Sequence, residues 1–244
     1  MADPTIGIVT PTIGNVELLQ CLRSVYSQTI PVKHYLVIDG YQYVDRVFQQ
    51  LSQLTFEERD QIKLITLEEN VGKEYYSHRA YASVPILMNC DYVMYLDADN
   101  WLNPNHAKSC LQAIQEFQVP WAFSYRNIHR KDGSFVCQDQ CESVGVAPCW
   151  NGGYYHIDSS CFCVDINLTR TLGMAWYGKW GQDRVFCNAL RQYSKMFAGT
   201  GQFTVNYRLG GNEGSVQEQF FTQGNIAAQG KLIRETAFRH QWSM

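Results

Sequence analysis

Within its first hundred residues the chain repeats one pattern: a short apolar run, an abrupt polar break, then apolar residues at helical spacing. Ile6-Gly7-Ile8-Val9-Thr10 is a β-branched run that stops at Pro11, as a buried strand should. Val16, Leu18, Leu19, Leu22, Val25 and Tyr26 then recur with helical period, with Asn15 placed as a cap and Pro31 beyond the end. His34 to Ile38 is a second run, cut off by Asp39-Gly40, and Ile62 to Leu67 is a third, with a helical pattern over Val44 to Leu54 between them. Two strand-helix-strand units therefore precede residue 70, and such units wind a parallel sheet with right-handed crossovers.

The pattern continues with a helix over Ser77 to Met88, shortened or kinked by Pro85, and a fourth strand at Tyr92 to Leu96. That strand runs into Asp97-Ala98-Asp99-Asn100, and Pro104 to Phe117 reads as the next helix. Past Val119 only short strand-like runs such as Trp121 to Tyr125 stand out, and a last helical pattern spans Ile226 to Phe238. With no linker and no internal repeat, the expectation is one domain over residues 1–244. Its class is α/β, a three-layer α/β/α sandwich around a mostly parallel, mixed sheet. Ligands collect at the carboxyl ends of strands in such sheets, where Asp39, Asp97 and Asp99 fall.

Composition narrows the function. At 45% hydrophobic and 18% charged the chain is globular, and its net charge of −3 argues against a general grip on nucleic acid. Apolar stretches such as Tyr92 to Leu96 are far short of the ~20 residues of a membrane span. Met1-Ala2-Asp3-Pro4 has no signal-peptide pattern, so the expected location is the cytoplasm, free or at the cytosolic face of a membrane. The nine cysteines are an odd count in a chain large enough to need no staples, and Cys137, Cys141 and Cys149 match no usual zinc spacing. Free thiols follow.

Asp97 and Asp99, one residue apart past a buried strand, suit a shared Mg²⁺ or Mn²⁺, which in turn grips the oxygens of a diphosphate. The alternatives are an ordinary Asp-Ala-Asp-Asn turn, and a phosphatase with Asp97 as nucleophile. Thr10-Pro11-Thr12-Ile13-Gly14 is neither a Walker loop nor a dinucleotide fingerprint, which disfavours kinases, ATPases and dehydrogenases. In Tyr177-Gly178-Lys179-Trp180-Gly181-Gln182-Asp183, a glycine-rich turn leads into a helical pattern with Asp183 in its first turn. A carboxylate there, beside an aromatic platform such as Trp180, is suited to take a proton from a hydroxyl; a helix cap is the plainer role.

Taken in order, Ile6 to Thr12, Leu22-Arg23-Ser24-Val25-Tyr26-Ser27-Gln28, Leu36 to Gly40, Asn70-Val71-Gly72, Leu96 to Asn100 and Gly181-Gln182-Asp183 resemble the family 2 glycosyltransferases of the GT-A fold. The likeness runs from Thr5 to Phe186, with a weaker echo from Tyr207 to Ser215. It implies a metal-dependent, inverting transfer from a nucleotide-diphosphate sugar, uridine-linked, to a glycan or other hydroxyl acceptor. Residues 1–100 would form the nucleotide half, and 101–244 the acceptor half with a C-terminal helix.

By the resemblance, Thr10 and Thr12 line the nucleotide pocket and Asp39 meets the base or ribose. Lys73 and Arg79 approach the uracil or the diphosphate. Asp97 binds ribose or metal-bound water, Asp99 binds the Mn²⁺ or Mg²⁺, and Asp183 is the general base. Gln182 stands where the family carries a glutamate, Ile38 where it often carries an aspartate, and no histidine occurs over 208–215, where Asn212, Glu213 or no protein group would take its place as metal ligand. Those departures motivate a second reading, a nucleotide-sugar-binding protein without turnover. For the sugars, the sequence offers Trp180, Gln182, and the run from Cys149 to Ser160 with Trp150, His156 and Asp158. Trp150 and Tyr155 in a packed β-hairpin are the alternative for that run. The segment Ile226 to Trp242 suits a docking helix or, with Lys231, Arg234 and Arg239, a membrane surface.

Overall fold

A computed structural model describes residues 3–211 and 216–242 of the chain. Its first half follows the alternation in the sequence. Strand β1 (Ile6–Thr12) is buried throughout and leads to α1 (Leu18–Tyr26), which turns Leu18, Cys21, Leu22 and Val25 inward. Then come β2 (Val32–Asp39), α2 (Val44–Leu51), a short α3 (Phe56–Asp60) started by a Thr55–Glu58 capping box, and β3 (Ile62–Leu67). Helix α4 (His78–Leu87) keeps Pro85 inside its last turn, where Arg170 donates to the Pro85 and Met88 carbonyls, and β4 (Tyr92–Tyr95) follows.

The second half is richer in strands than its sequence advertises. It contains β5 (Trp101–Leu102), α5 (His106–Phe117), β6 (Trp121–His129), β7 (Phe135–Gln138) and β8 (Phe162–Asp165). Then follow α6 (Ile166–Leu172), α7 (Gln182–Tyr193), β9 (Met196–Arg208), α8 (Glu218–Ala228) and β10 (Phe238–Gln241). All strands join one sheet with the order β10-β9-β6-β8-β4-β1-β2-β3, β5 pairing β9 and β7 pairing β6 at its margin. Pairing is parallel across β4-β1-β2-β3, and β8 runs antiparallel to both β4 and β6, welding the two halves.

Two local features depart from the sequence reading. Strand β1 continues through Pro11. Val9 accepts a hydrogen bond from the Leu96 N–H, so two residues on Pro11 turns its nitrogen to the same side, beyond the end of β4, where no N–H is needed. The expected C-terminal helix over Ile226 to Phe238 ends at Ala228: Gln229 and Gly230 both take positive φ (52° and 68°) and stop it. Phe238 instead enters β10 against β9, its ring filling the space a side chain on Gly199 would occupy. Among the described residues, no helix is long and apolar enough to cross a membrane.

Because β1 is flanked by β2 on one side and β4 on the other, the chain reverses its direction of winding there, and the carboxyl ends of β1 and β4 diverge. Over this split runs residues 139–158, which form no strand or helix. The segment is held instead by Asp139, whose carboxylate accepts from the Cys141, Glu142 and Ser143 N–H groups. The alternative reading, a packed β-hairpin around Trp150 and Tyr155, is met only in part: the Gly145 N–H donates to the His156 carbonyl and the Cys149 N–H to the Tyr154 carbonyl, but no strand ladder forms between these two bonds.

Candidate active site

The divergence of β1 and β4 opens a cavity of about 560 Å³. Thr12, Asp39, Lys73, Asp97, Asp99, Asp158, Trp180 and Asp183 all line it, drawn from across the sequence. Thr10, Arg79, Trp150 and Gln182 do not line it.

Asp39, at the end of β2, accepts from the Val71 and Gly72 N–H groups at 2.8 and 2.9 Å, which ties the 70–73 turn to the sheet. Burial raises its pKa against the lowering effect of those two donors. Gly72 is required by packing, since a Cβ there would stand 2.4 Å from the Tyr76 carbonyl oxygen and 2.5 Å from Asp39 Oδ2. Lys73 reaches the cavity from the same turn.

Asp97 and Asp99 occupy the turn after β4. Each oxygen of Asp97 accepts a hydroxyl, from Tyr81 at 2.7 Å and from Ser159 at 3.2 Å. The Asp99 carboxylate accepts from its own backbone N–H and from no other described residue. Burial and the charge of Asp97 push it up to about 7. Gly211 packs directly against it, since a Cβ there would fall 2.2 Å from Asp99 Oδ2. Arg208, at the end of β9, braces this turn: Nε donates to the Asp99 carbonyl at 3.0 Å and its backbone N–H to Asn100 Oδ1 at 2.9 Å.

Asp183 sits in the first turn of α7, after Gly181 in the left-handed region (φ 83°). Its Oδ1 accepts from the Arg184 N–H, and its Oδ2 lies 3.7 Å from His156 Nε2. The Arg184 guanidinium stacks over the rings of Tyr154 and Trp180, holding Trp180 at the cavity.

The four residues outside the cavity have plain structural reasons. Thr10 is fully buried, its hydroxyl 2.9 Å from His34 Nε2 across the face of the sheet. Arg79 lies flat on Tyr75, 3.3 Å from the ring centroid, and over Tyr177. Trp150 packs against Phe220 and Gly224 in a satellite core with Cys141 and Phe221. Gln182 folds back onto Gly178, filling the place of its missing side chain. Asp158 lines the cavity, yet its oxygens are committed to Arg126 and to the Ser160 N–H. Asn212 and Glu213, named as substitute metal ligands, lie outside the described residues.

Residues that sequence reasoning missed complete the wall. Arg126, buried on β6, is gripped by Asp139, Glu142 and Asp158, and Tyr154 donates to Glu142 at 3.0 Å. One guanidinium cannot neutralise three buried carboxylates, and burial leaves Asp158 above the usual carboxylate range. Tyr207 and Tyr76 also line the cavity, Tyr76 with a positive φ of 52°. The signal available was an arginine in the middle of an apolar strand, which has to find acidic partners. The nine cysteines are all free, and no group of three or more His, Cys, Asp or Glu side chains among the described residues is set to hold a metal by itself.

Comparison with known proteins places this geometry. No curated protein sequence matches the chain. Among solved structures, S. aureus TarS 1–349 in complex with UDP superposes with a TM-score of 0.63 at 14% identity, covering 92% of this chain and 64% of that one. The same piece in complex with UDP-GlcNAc gives 0.61 at 13% identity, covering 95% and 68%. The TarS structure not limited to that piece gives 0.59 at 14%, with 95% of this chain against 41% of that one. The chain thus spans less than two thirds of the first of these relatives, and the likeness is one of fold, the GT-A fold. The profile of Glycosyl transferase family 2 matches residues 8–132, just over half of the sequence. With that stretch carrying β1 through β6 and the Asp97–Asp99 turn, the chain belongs to glycosyl transferase family 2.

Proposed function

We propose that the chain transfers a sugar from a uridine-diphosphate donor to an acceptor hydroxyl with inversion at the anomeric carbon, with Asp183 as general base. The observation that carries this reading is the meeting, in one cavity, of the Asp39–Lys73 turn, the Asp97–Asp99 turn and the first turn of α7. The UDP and UDP-GlcNAc complexes of TarS, which shares the fold, support the choice of donor.

Asp39 and Thr12 would bound the nucleoside, and Lys73 would meet the diphosphate charge. A divalent cation fits the residues present: Asp99 is a partly buried carboxylate beside the Asp97 charge, and it accepts no hydrogen bond from another described residue. Asp99 with Asp97 would hold Mn²⁺ or Mg²⁺, and the ion's contribution would be to offset charge on the departing diphosphate. Asp97, with a hydroxyl donor on each oxygen, is arranged as a fixed acceptor rather than a free nucleophile, which leaves the phosphatase alternative without support. Trp180, steadied by Arg184, would offer its face to a sugar ring. Asp183 would take the proton of the acceptor hydroxyl as the new glycosidic bond forms and the bond to the diphosphate breaks.

The test uses water as acceptor. With a UDP-α-sugar and Mn²⁺, freshly released sugar followed by proton NMR should be the β-anomer, and Asp183→Asn should lower its release by about 10²-fold or more. Release of the α-anomer would contradict inversion, and full activity in Asp183→Asn would remove the base.

A further inference from the structure

We infer that His156 is the positioning residue of the Asp183 carboxylate, a fixed N–H donor built into the cavity wall; the inference rests on Asp183 being the base. His156 is 4% exposed and lies between Tyr155 and Ile157 in the irregular 139–158 segment. Its backbone is clamped: the carbonyl accepts from the Gly145 N–H at 3.1 Å, and two residues on the Asp158 N–H donates to Ser143 Oγ at 2.9 Å. Gly145 permits this approach with φ 66°, in a space where a Cβ would meet Ile157 and Phe123 at 3.0 Å. The ring therefore has little freedom to turn away.

The two ring nitrogens have different surroundings. Nδ1 is shut off from solvent and has no hydrogen-bond partner among the described residues. Nε2 is 3.7 Å from Asp183 Oδ2. A proton on Nδ1 would be a buried, orphaned donor, whereas a proton on Nε2 points at a carboxylate, so the neutral ring carries its proton on Nε2. A separation of 3.7 Å is longer than a hydrogen bond, and contacts to catalytic groups commonly close when substrate is seated.

Asp183 is thereby faced by an N–H donor on each oxygen. The Arg184 N–H fixes Oδ1 at 2.8 Å, and the His156 N–H faces Oδ2. Both donors sit on backbone that is itself anchored, which restricts rotation of the carboxylate and leaves its remaining lone pairs for the acceptor hydroxyl. This division of labour separates His156 from a metal ligand or a proton carrier: Nε2 is occupied by its proton, and Nδ1 is inaccessible.

The experiment compares wild type, His156→Phe, His156→Gln and Asp183→Asn as full chains. UDP release is followed from whichever of UDP-glucose, UDP-galactose or UDP-N-acetylglucosamine turns over fastest with Mn²⁺, and UDP affinity is measured by calorimetry. Glutamine places an N–H near the position of Nε2; phenylalanine fills the volume without one. The expected result is a kcat lowered about tenfold or more in His156→Phe, the size of effect a small misplacement of a catalytic group produces, with donor KM and UDP affinity unchanged. His156→Gln should regain most of that loss. The inference is overturned if His156→Phe turns over like wild type while Asp183→Asn is inactive, which leaves the base in place. Equal impairment of the Phe and Gln variants also overturns it, because packing alone would then be responsible. An active Asp183→Asn, or a wild type that releases UDP from none of the three donors, takes the underlying reading down with it.

Discussion

Asp99 concentrates the electrostatic cost of this fold. Its carboxyl is pushed up to about 7 by burial and by the charge of Asp97, so the folded protein holds a proton there that the unfolded chain releases near 3.8. The sign follows from linkage: the group stabilises the fold below its unfolded pKa, and that contribution is lost as pH climbs through about 7. In chelator, Asp99→Asn should therefore raise Tm at pH 8 by about 2–4 °C for each kcal/mol of relieved repulsion, and leave Tm unchanged at pH 4. A variant no more stable than wild type at pH 8 would show that the carboxylate is solvated or paired. At this scale the sequence was legible where a residue's place follows from the end of its own element, as for Asp39, Asp97, Asp99 and Asp183. It was not legible where the immediate surroundings of a side chain decide. Thr10 and Thr12 share one strand, yet Thr10 faces His34 inside the sheet while Thr12 reaches the cavity beyond it. Arg79 was captured by Tyr75, and Gln182 by the gap at Gly178, neither of which a motif records.

Among the elements, the parallel strands were the easiest to read, because a strand buried on both faces must be a continuous apolar run bounded by polar turns. The mixed half was hidden, since β8 and β9 take their partners from strands distant in sequence and carry cysteine, glycine and threonine where the first half carries valine and isoleucine. The 139–158 segment has no periodicity at all, and its order comes from Arg126 on β6 with Asp139, Glu142 and Asp158. Arg126→Met should leave three buried carboxylates without their cation and destabilise the fold by about 3–5 kcal/mol in urea denaturation. A loss under ~1 kcal/mol would mean that the cluster takes up protons or water instead of relying on the arginine. The same variant should lower UDP turnover, because Glu142, Asp158 and His156 all belong to that segment.

Across the whole molecule, the C-terminal strand closes the sheet over the aromatic core. Trp242 is 4% exposed, contacts Trp121 and Phe197, and donates from Nε1 to the Gly145 carbonyl at 3.0 Å, so it also steadies the segment that carries His156. The sequence reading placed this region on a helix, since apolar spacing continues past Gln229 and Gly230; the turn those two residues make was the missed signal. Trp242→Ala should cost about 3–5 kcal/mol of stability, read by urea denaturation, and a cost under ~1 kcal/mol would show that β10 is not integral to the fold. The central claim is that the split between β1 and β4 holds a uridine-diphosphate donor through Asp99 and a divalent cation. Isothermal calorimetry of UDP, with and without Mn²⁺, on wild type and Asp99→Ala tests it most directly. Binding in wild type should strengthen with Mn²⁺ and lose that dependence in Asp99→Ala; no binding in wild type, or an Mn²⁺ effect that survives the substitution, would rule out this role of Asp99.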